Sequence, residues 1–328
     1  MRLKAALISF TVVVLSALAG CNGVAADKKI LTIDFQEGQT LQYKFVSSRE
    51  IDVELDTTKN ASKPDKGSAS KSSESMEMVI SYTPLEVNPY GLTTIKAACN
   101  SVKVTRSKGQ SGRAARKDAV ENLAGKTFTF TVGPTGKMED NSQLEKLIQE
   151  IGQKAFREDK GQVRVKEPDM INDFIASQWF LWDSVSSIKS TEGLSIGQTW
   201  QSKLSVPTPM ILRKARDVTY RLDEIRQSQQ GQLAVIHSSY KLAESVPKGW
   251  PIPYSGRFEV AGPFGFYINY EVLDLQGEGE ELFNIDKGRI EQYNQQYQMQ
   301  LKASLQLPLP GVNPRINIKQ NLTMQLLE

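Results

Sequence analysis

Apolar side chains recur at every second position through most of this chain. Leu31, Ile33 and Phe35 share one face, then Leu41, Tyr43 and Phe45, then Ile51, Val53 and Leu55. Alternation of period two, rich in β-branched and aromatic residues, predicts half-buried strands. The pattern resumes in "EMVISYTPLEV" and "LTTIKAACNSVKVT". "GKTFTFTVGPTGKM" at 125–138 predicts a hairpin with Phe128, Phe130 and Val132 on one face. Further strands are predicted at "DVTYRLDEI", "QLAVIHSSYKL", "GRFEV", "FGFYINYEVLDL" and "ELFNI". Two long alternating segments close the chain. Over 291–307, Tyr293, Tyr297, Met299, Leu301, Ala303, Leu305 and Leu307 take odd positions, and Gln295 is the one polar interruption of that face. Over 316–326, Ile316, Ile318, Leu322, Met324 and Leu326 form a second greasy face, which Gln320 interrupts in the same way. At ~3.3 Å per residue the first segment spans about 55 Å. Strands of that length suit strongly curved sheets or barrels.

The period changes in the middle of the chain. Ser142 and Glu145 make a capping-box pattern, and Leu144, Leu147, Ile148 and Ile151 recur at helical spacing. A second helix is predicted from Pro168, which suits a first helical position. It carries Met170, Ile171, Phe174, Ile175, Trp179, Phe180 and Trp182, the densest aromatic stretch of the sequence. Residues 57–75 have no apolar side chain larger than alanine apart from Pro64, so they predict a disordered loop that cannot offset its ordering entropy. "TRSKGQSGRAARKD" predicts a second, basic, solvated loop. The fold class that follows is mainly β with a short helical segment in the middle (α+β), built on long curved antiparallel sheets.

Two segments match closely, "GQTLQYK" at 38–44 and "GQTWQSK" at 197–203. Further matches follow in order: "ISYTPLEV" with "VTYRLDEI", placing Tyr82 on Tyr220, then Phe130 on Phe283 and Val132 on Ile285. The spacing of the matches shortens across the polar stretch 57–75, where an insertion in the first half is already visible. These matches predict two related halves, with Leu41 and Trp200 as equivalent inward residues.

Composition adds a location. The chain opens "MRLKAALISFTVVVLSALAGCNG", a basic start followed by an apolar run too short to cross a membrane comfortably. "LAGC" resembles the bacterial lipoprotein cleavage box, which implies diacylglycerol and palmitate attachment at Cys21 as the mature first residue. Several acyl chains on one residue give stable anchoring. The absence of Asp after Cys21 implies, by resemblance to the sorting pattern, the outer membrane facing the periplasm. The organisation expected is a signal peptide over 1–20, a lipidated tether over 21–30, a first β-rich half over 31–140, a helical connector over 141–190 and a second β-rich half over 191–328. The formal charge of +3 includes Arg2 and Lys4, so nothing in it calls for nucleic acid. With Cys21 acylated, Cys99 is left alone and reads as a small buried hydrophobe.

Chemistry is sparse. His237 is the one histidine and reads as a packed strand residue, since multi-histidine zinc sites need more. "GEGEE", with Glu278, Glu280 and Glu281, reads as a solvated turn. There is no P-loop or dinucleotide fingerprint. No catalytic residue, metal ligand or cofactor is expected. The strands opening on "GQT", the "FTVGPTGKM" and "FNIDKGRI" hairpins, the helical middle and the "LAGC" box together resemble uncharacterised β-rich envelope lipoprotein families of bacteria, grouped as domains of unknown function. That resemblance implies location and fold and carries over no catalytic or binding residue. The function expected is a non-catalytic structural or interaction module, because alternation is what any sheet core requires. The partners expected are the membrane, through the N-terminal lipid, and an envelope protein, glycan or lipid. The alternative is a carrier of an apolar or amphipathic ligand, whose candidate face comprises Trp179, Trp182, Phe258, Phe266, Tyr270, Tyr297 and Met299.

Overall fold

The computed structural model describes residues 28–54, 70–107, 117–158, 164–209, 212–260, 267–305 and 314–327. Cys21 and Phe266 lie outside the described residues, as do the leader and most of the two polar loops. The strands run β1 (Leu41–Glu54), β2 (Ser70–Val87), β3 (Thr93–Arg106), β4 (Thr127–Val132) and β5 (Met138–Asp140). Helix α1 (Ser142–Lys154) precedes the short strands β6 (Phe156–Glu158) and β7 (Arg164–Lys166). Helices α2 (Ile171–Phe180) and α3 (Asp183–Ser186) follow. The second half holds β8 (Thr199–Ser205), β9 (Ala215–Ser228), β10 (Gly231–Leu242), β11 (Phe258–Val260), β12 (Tyr267–Asn284), β13 (Arg289–Leu305) and β14 (Arg315–Leu327).

Eleven strands form one antiparallel sheet in the order β5-β4-β3-β2-β1-β14-β13-β12-β10-β9-β8. The protein is therefore mainly β, as the alternation requires. The first and last strands of the chain, β1 and β14, pair along thirteen positions from Gln42↔Leu327 to Glu54↔Arg315 and join everything into one sheet. A small second sheet orders β11-β7-β6, with β11 and β7 parallel.

One face of the large sheet buries its apolar row against α1, α2, α3 and a 3-10 turn at Ala119–Leu123. The sheet must curve to do so. Strands β4 and β8 stand nine places apart, about 43 Å in a flat sheet at ~4.8 Å per step. Yet Phe130 of β4 packs 5.9 Å, centroid to centroid, from Trp182. Two residues on, the Ser184 carbonyl accepts a 2.7 Å bond from Trp200 Nε1 of β8. Two residues of chain span at most about 7 Å, so the two flanks curl round the α2–α3 corner. Tyr82 and Phe35 also set their rings against Trp182, which closes an aromatic cluster at this corner.

Several local expectations change. Residues 70–75, expected in a disordered loop, form the first part of β2. Strand β1 pairs with all six, β3 pairs with Glu74 and Ser75, and Glu74 is held by two arginines. The capping box at Ser142 does not form: Asn141 holds the cap position of α1 without a side-chain bond, and Ser142 is the first helical residue. A capping box forms instead at Asp118 and Glu121, ahead of the 3-10 turn. Helix α2 begins at Ile171 rather than Pro168, because Asp169 turns back to accept the Ile171 N–H at 3.1 Å. "GEGEE" is no turn, since it occupies the middle of β12.

The matched segments hold equivalent places. Gly38 and Gly197 both take positive φ, and their N–H groups bond the carbonyls of Pro84 and Leu222, two residues beyond Tyr82 and Tyr220. Leu41 stands opposite Tyr82 in the register, as Trp200 stands opposite Tyr220.

Candidate functional site

Along β13 and β14 the sequence breaks its greasy face twice, at Gln295 and Gln320. Both glutamines are buried, and each serves a buried arginine. Gln295 Oε1 accepts a 2.8 Å bond from Arg216 Nη2. The Arg216 guanidinium lies 4.2 Å from the Tyr240 ring and 5.1 Å from the Tyr297 ring. Gly277 stands between those two tyrosines in the register. A Cβ there would meet the Gln296 carbonyl oxygen at 2.3 Å and Tyr297 Cβ at 2.4 Å, so only glycine fits.

Gln320 bonds Ser47 Oγ at 2.7 Å and Asp173 Oδ1 at 3.1 Å. Asp173 also takes a 2.8 Å bond from Arg49 Nη1, and Arg49 Nε reaches Glu74 at 2.5 Å. The chain of ions continues from Glu74 to Arg106 and on to Asp118. Burial works against the Arg49 charge, but Asp173 and Glu74 outweigh it and hold the guanidinium above its ordinary value. Burial likewise opposes the Glu74 carboxylate, yet Arg49 and Arg106 keep it below the usual range. A second polar cluster lies at the α2–α3 corner. Asp183 accepts from Tyr220 at 2.7 Å and Ser202 at 2.8 Å, and Glu281 accepts from Ser184 at 2.5 Å. Burial pushes Asp183 up to about 6 and Glu281 up to about 8, with Asp183 adding to the latter.

A trough of about 1390 Å3 crosses seven adjacent strands, from β3 through β2, β1, β14, β13 and β12 to β10. Its floor is the row that contains Arg49, Glu74, Tyr240, Gly277, Tyr297 and Gln320. The side chains of that row turn toward the helices, yet no residue of α1, α2 or α3 lines the trough. It therefore lies on the opposite, solvent-facing side, where their neighbours along each strand project. Ten of those fifteen neighbours carry hydroxyls or amides, among them Ser75, Thr105, Gln276, Gln296, Gln298 and Asn321. The other five are Glu50, Lys241, Asp274, Glu278 and Lys319, nearly balanced in sign. What such a surface offers is mainly uncharged hydrogen bonding over a width of about 29 Å at ~4.8 Å per strand.

The candidate ligand face falls elsewhere. Trp182 and Met299 are buried in the core, and Tyr297 is buried beneath the trough. Trp179 and Tyr270 pack half-buried against the core. Phe258 belongs to the small sheet, 5.2 Å from Phe156. These residues are not brought together at one opening. Cys99 is buried and its thiol is pushed up to about 12 by that burial. His237 is half-buried on β10, beside Glu280 and Arg221 in the register. No group of three metal-ligating side chains occurs, and no helix is long and apolar enough to cross a membrane, among the described residues. The polar interruptions at Gln295 and Gln320 were the sequence signal for the buried arginines. Nothing in the pattern marked the trough beyond the richness of the even positions in Gln, Asn and Ser.

No family profile matches the chain, and no curated protein matches it by sequence. Among solved structures, lipovitellin, in a study of lipid–protein interactions, is 10% identical with a TM-score of 0.39. The alignment covers 90% of this chain and 26% of lipovitellin, so the chain spans about a quarter of that protein. OccAB4 of Acinetobacter baumannii is 9% identical over 89% of this chain and 99% of its own, with a TM-score of 0.18. OpdQ of Pseudomonas aeruginosa is 8% identical over 88% of this chain and all of its own (100%), with a TM-score of 0.20. Scores this low define no shared fold.

Proposed function

We propose that this protein is a non-catalytic interaction module of the bacterial cell envelope, anchored through an acylated Cys21, whose outer trough binds an extended, uncharged glycan. The observation that carries this reading is the division of the sheet into two unlike faces. The greasy face is already filled by α2, α3 and their aromatic cluster, while the polar face carries the trough. A protein partner fits less well, because the centres of protein interfaces are enriched in aromatic and apolar side chains. In the trough, Tyr240, Tyr297 and Leu275 are all buried, and hydroxyls and amides do the facing. An apolar carrier would need its greasy face open. We read the two halves as the product of a duplication, supported by the equivalent registers of Leu41 with Tyr82 and Trp200 with Tyr220.

Co-sedimentation with isolated cell-wall sacculi tests the reading. The wild-type chain is expected in the pellet, and a variant with Gln296→Glu and Gln298→Glu largely in the supernatant. Equal recovery of both, or no pelleting of either, refutes it.

A further inference from the structure

The large apolar side chains that the protein exposes are unevenly placed. Ile30, Leu85, Val87, Tyr90, Leu92 and Ile196 make six of the eight exposed among the described residues, with Tyr90 85% exposed. All six stand at one end of the sheet. Leu85 and Val87 end β2, and Tyr90 and Leu92 form its turn into β3. Gly91 in that turn sits against Pro134 of the β4–β5 turn, where an added Cβ would come within 2.7 Å. Gly136, in the same β4–β5 turn, lies against Ile33. Ile33 belongs to an extended strap, described from Lys28 on, that crosses this end. Lys29 bridges to Leu194, just ahead of Ile196, and the Asp34 N–H bonds the Gly288 carbonyl in the β12–β13 turn at 2.9 Å. The strap ends where the Gly38 N–H meets Pro84 at 2.8 Å, beside Leu85.

The described chain thus begins, at Lys28, on the same end that carries the exposed apolar side chains. Residues 22–27 separate it from Cys21. Seven residue steps reach at most about 25 Å, less than the hydrocarbon thickness of one bilayer, about 30 Å. A lipid at Cys21 therefore keeps this end close to the membrane and leaves the tether no room to turn the body over.

We infer that this end is a membrane-contact rim, on which Tyr90, Leu85, Leu92, Ile30 and Ile196 enter the headgroup region of the bilayer. The inference rests on the anchored reading of Cys21. Charges of both signs stand at this end, Lys28, Lys29 and Lys287 with Glu37, Glu86 and Asp286, so the contact comes from apolar burial rather than from net attraction to anionic lipid. The far ends of β1 and β2, and with them the trough, then point away from the membrane into the envelope space.

The test uses the full, lipidated chain on neutral phosphatidylcholine vesicles that carry a bilayer-embedded quencher. An environment-sensitive dye is attached at Tyr90→Cys or, as the control, at Lys71→Cys. Lys71 lies sixteen positions before Val87 on the same strand, so about 50 Å away at ~3.3 Å per residue. Buried Cys99 does not compete for the dye. Flotation with the vesicles reports the anchor, and quenching reports the orientation. Flotation with severalfold stronger quenching at position 90 than at 71 is the expected result, unchanged when anionic lipid is added. Flotation with equal quenching at both positions overturns the rim while leaving the anchor standing. Failure to float overturns the anchor and the rim with it.

Discussion

Glu281 offers a sharp test of the packing at the α2–α3 corner. It sits on β12 opposite Ile236 and Tyr293, 6% exposed, with Ser184 its hydrogen-bond donor at 2.5 Å. Burial, and then the neighbouring Asp183, push its carboxyl from 4.5 up to about 8. The folded protein therefore holds that proton more tightly than the unfolded chain does. Its contribution to stability is fully present below pH 4.5 and is lost as pH rises through about 8. Each pH unit in that window is worth about 1.4 kcal/mol, so the loss reaches about 3 kcal/mol by pH 7. Asp183 behaves in the same sense over a lower window, between 3.8 and about 6. In Glu281→Gln the amide keeps an acceptor for Ser184 and cannot ionise. Urea unfolding of both proteins from pH 5 to 8.5 measures the difference. The wild type should lose about 2 kcal/mol more than the variant between pH 6 and 8, a range that lies mostly above the one in which Asp183 titrates. Parallel curves over that range would refute the burial of an uncompensated carboxyl at this corner.

Other substitutions probe the layer beneath the trough. Arg49→Met leaves Glu74 and Asp173 buried without their shared partner and should cost about 3–5 kcal/mol in chemical unfolding. The loss should shrink in a double variant with Asp173→Asn. Gly277→Ala pushes a methyl into the Gln296 carbonyl and Tyr297 and should cost about 1–3 kcal/mol, measurable as a lower Tm. Gly38→Ala meets no atom within 4 Å but must hold a φ of +77°, so about 1 kcal/mol of backbone strain is expected there. Replacing Cys21 by Ser should release the protein from membranes on cell fractionation.

How much of this was readable beforehand follows from how local each cause is. Alternation marked the long strands, because the period of a half-buried strand is written in adjacent residues. The hairpin with Phe128 and Phe130 was legible for the same reason. Residues 70–75 were not, since they are held by backbone pairing with β1, by β3 at Glu74 and Ser75, and by the Glu74 ion pairs, with no apolar side chain to announce them. Glycines misled at 277 and 279, where they read as a turn. Their actual role is to make room for Tyr297 and for the Tyr240 and Ser238 hydroxyls. Ser142 looked like a cap because the sequence offers the capping pattern, while Asp118 met the condition in three dimensions. The interruptions at Gln295 and Gln320 were visible as breaks in a pattern, but their arginines are 79 and 271 positions away in sequence, and Gln320 reaches Arg49 only through Asp173. The pairing of β1 with β14, which sets the whole architecture, joins the two ends of the chain and leaves no local trace.

On the proposed reading the polar outer trough, and not the greasy inner face, is the binding surface. Side-chain amide NMR during titration with soluble cell-wall glycan fragments addresses it directly. The NH2 signals of Gln276, Gln296, Gln298 and Asn321, assigned by single substitution, are predicted to shift together and to saturate at one fragment concentration, while Gln143 and Gln153 on α1 stay in place. Unmoved trough amides, or shifts confined to residues around Trp182 and α2, would contradict the account.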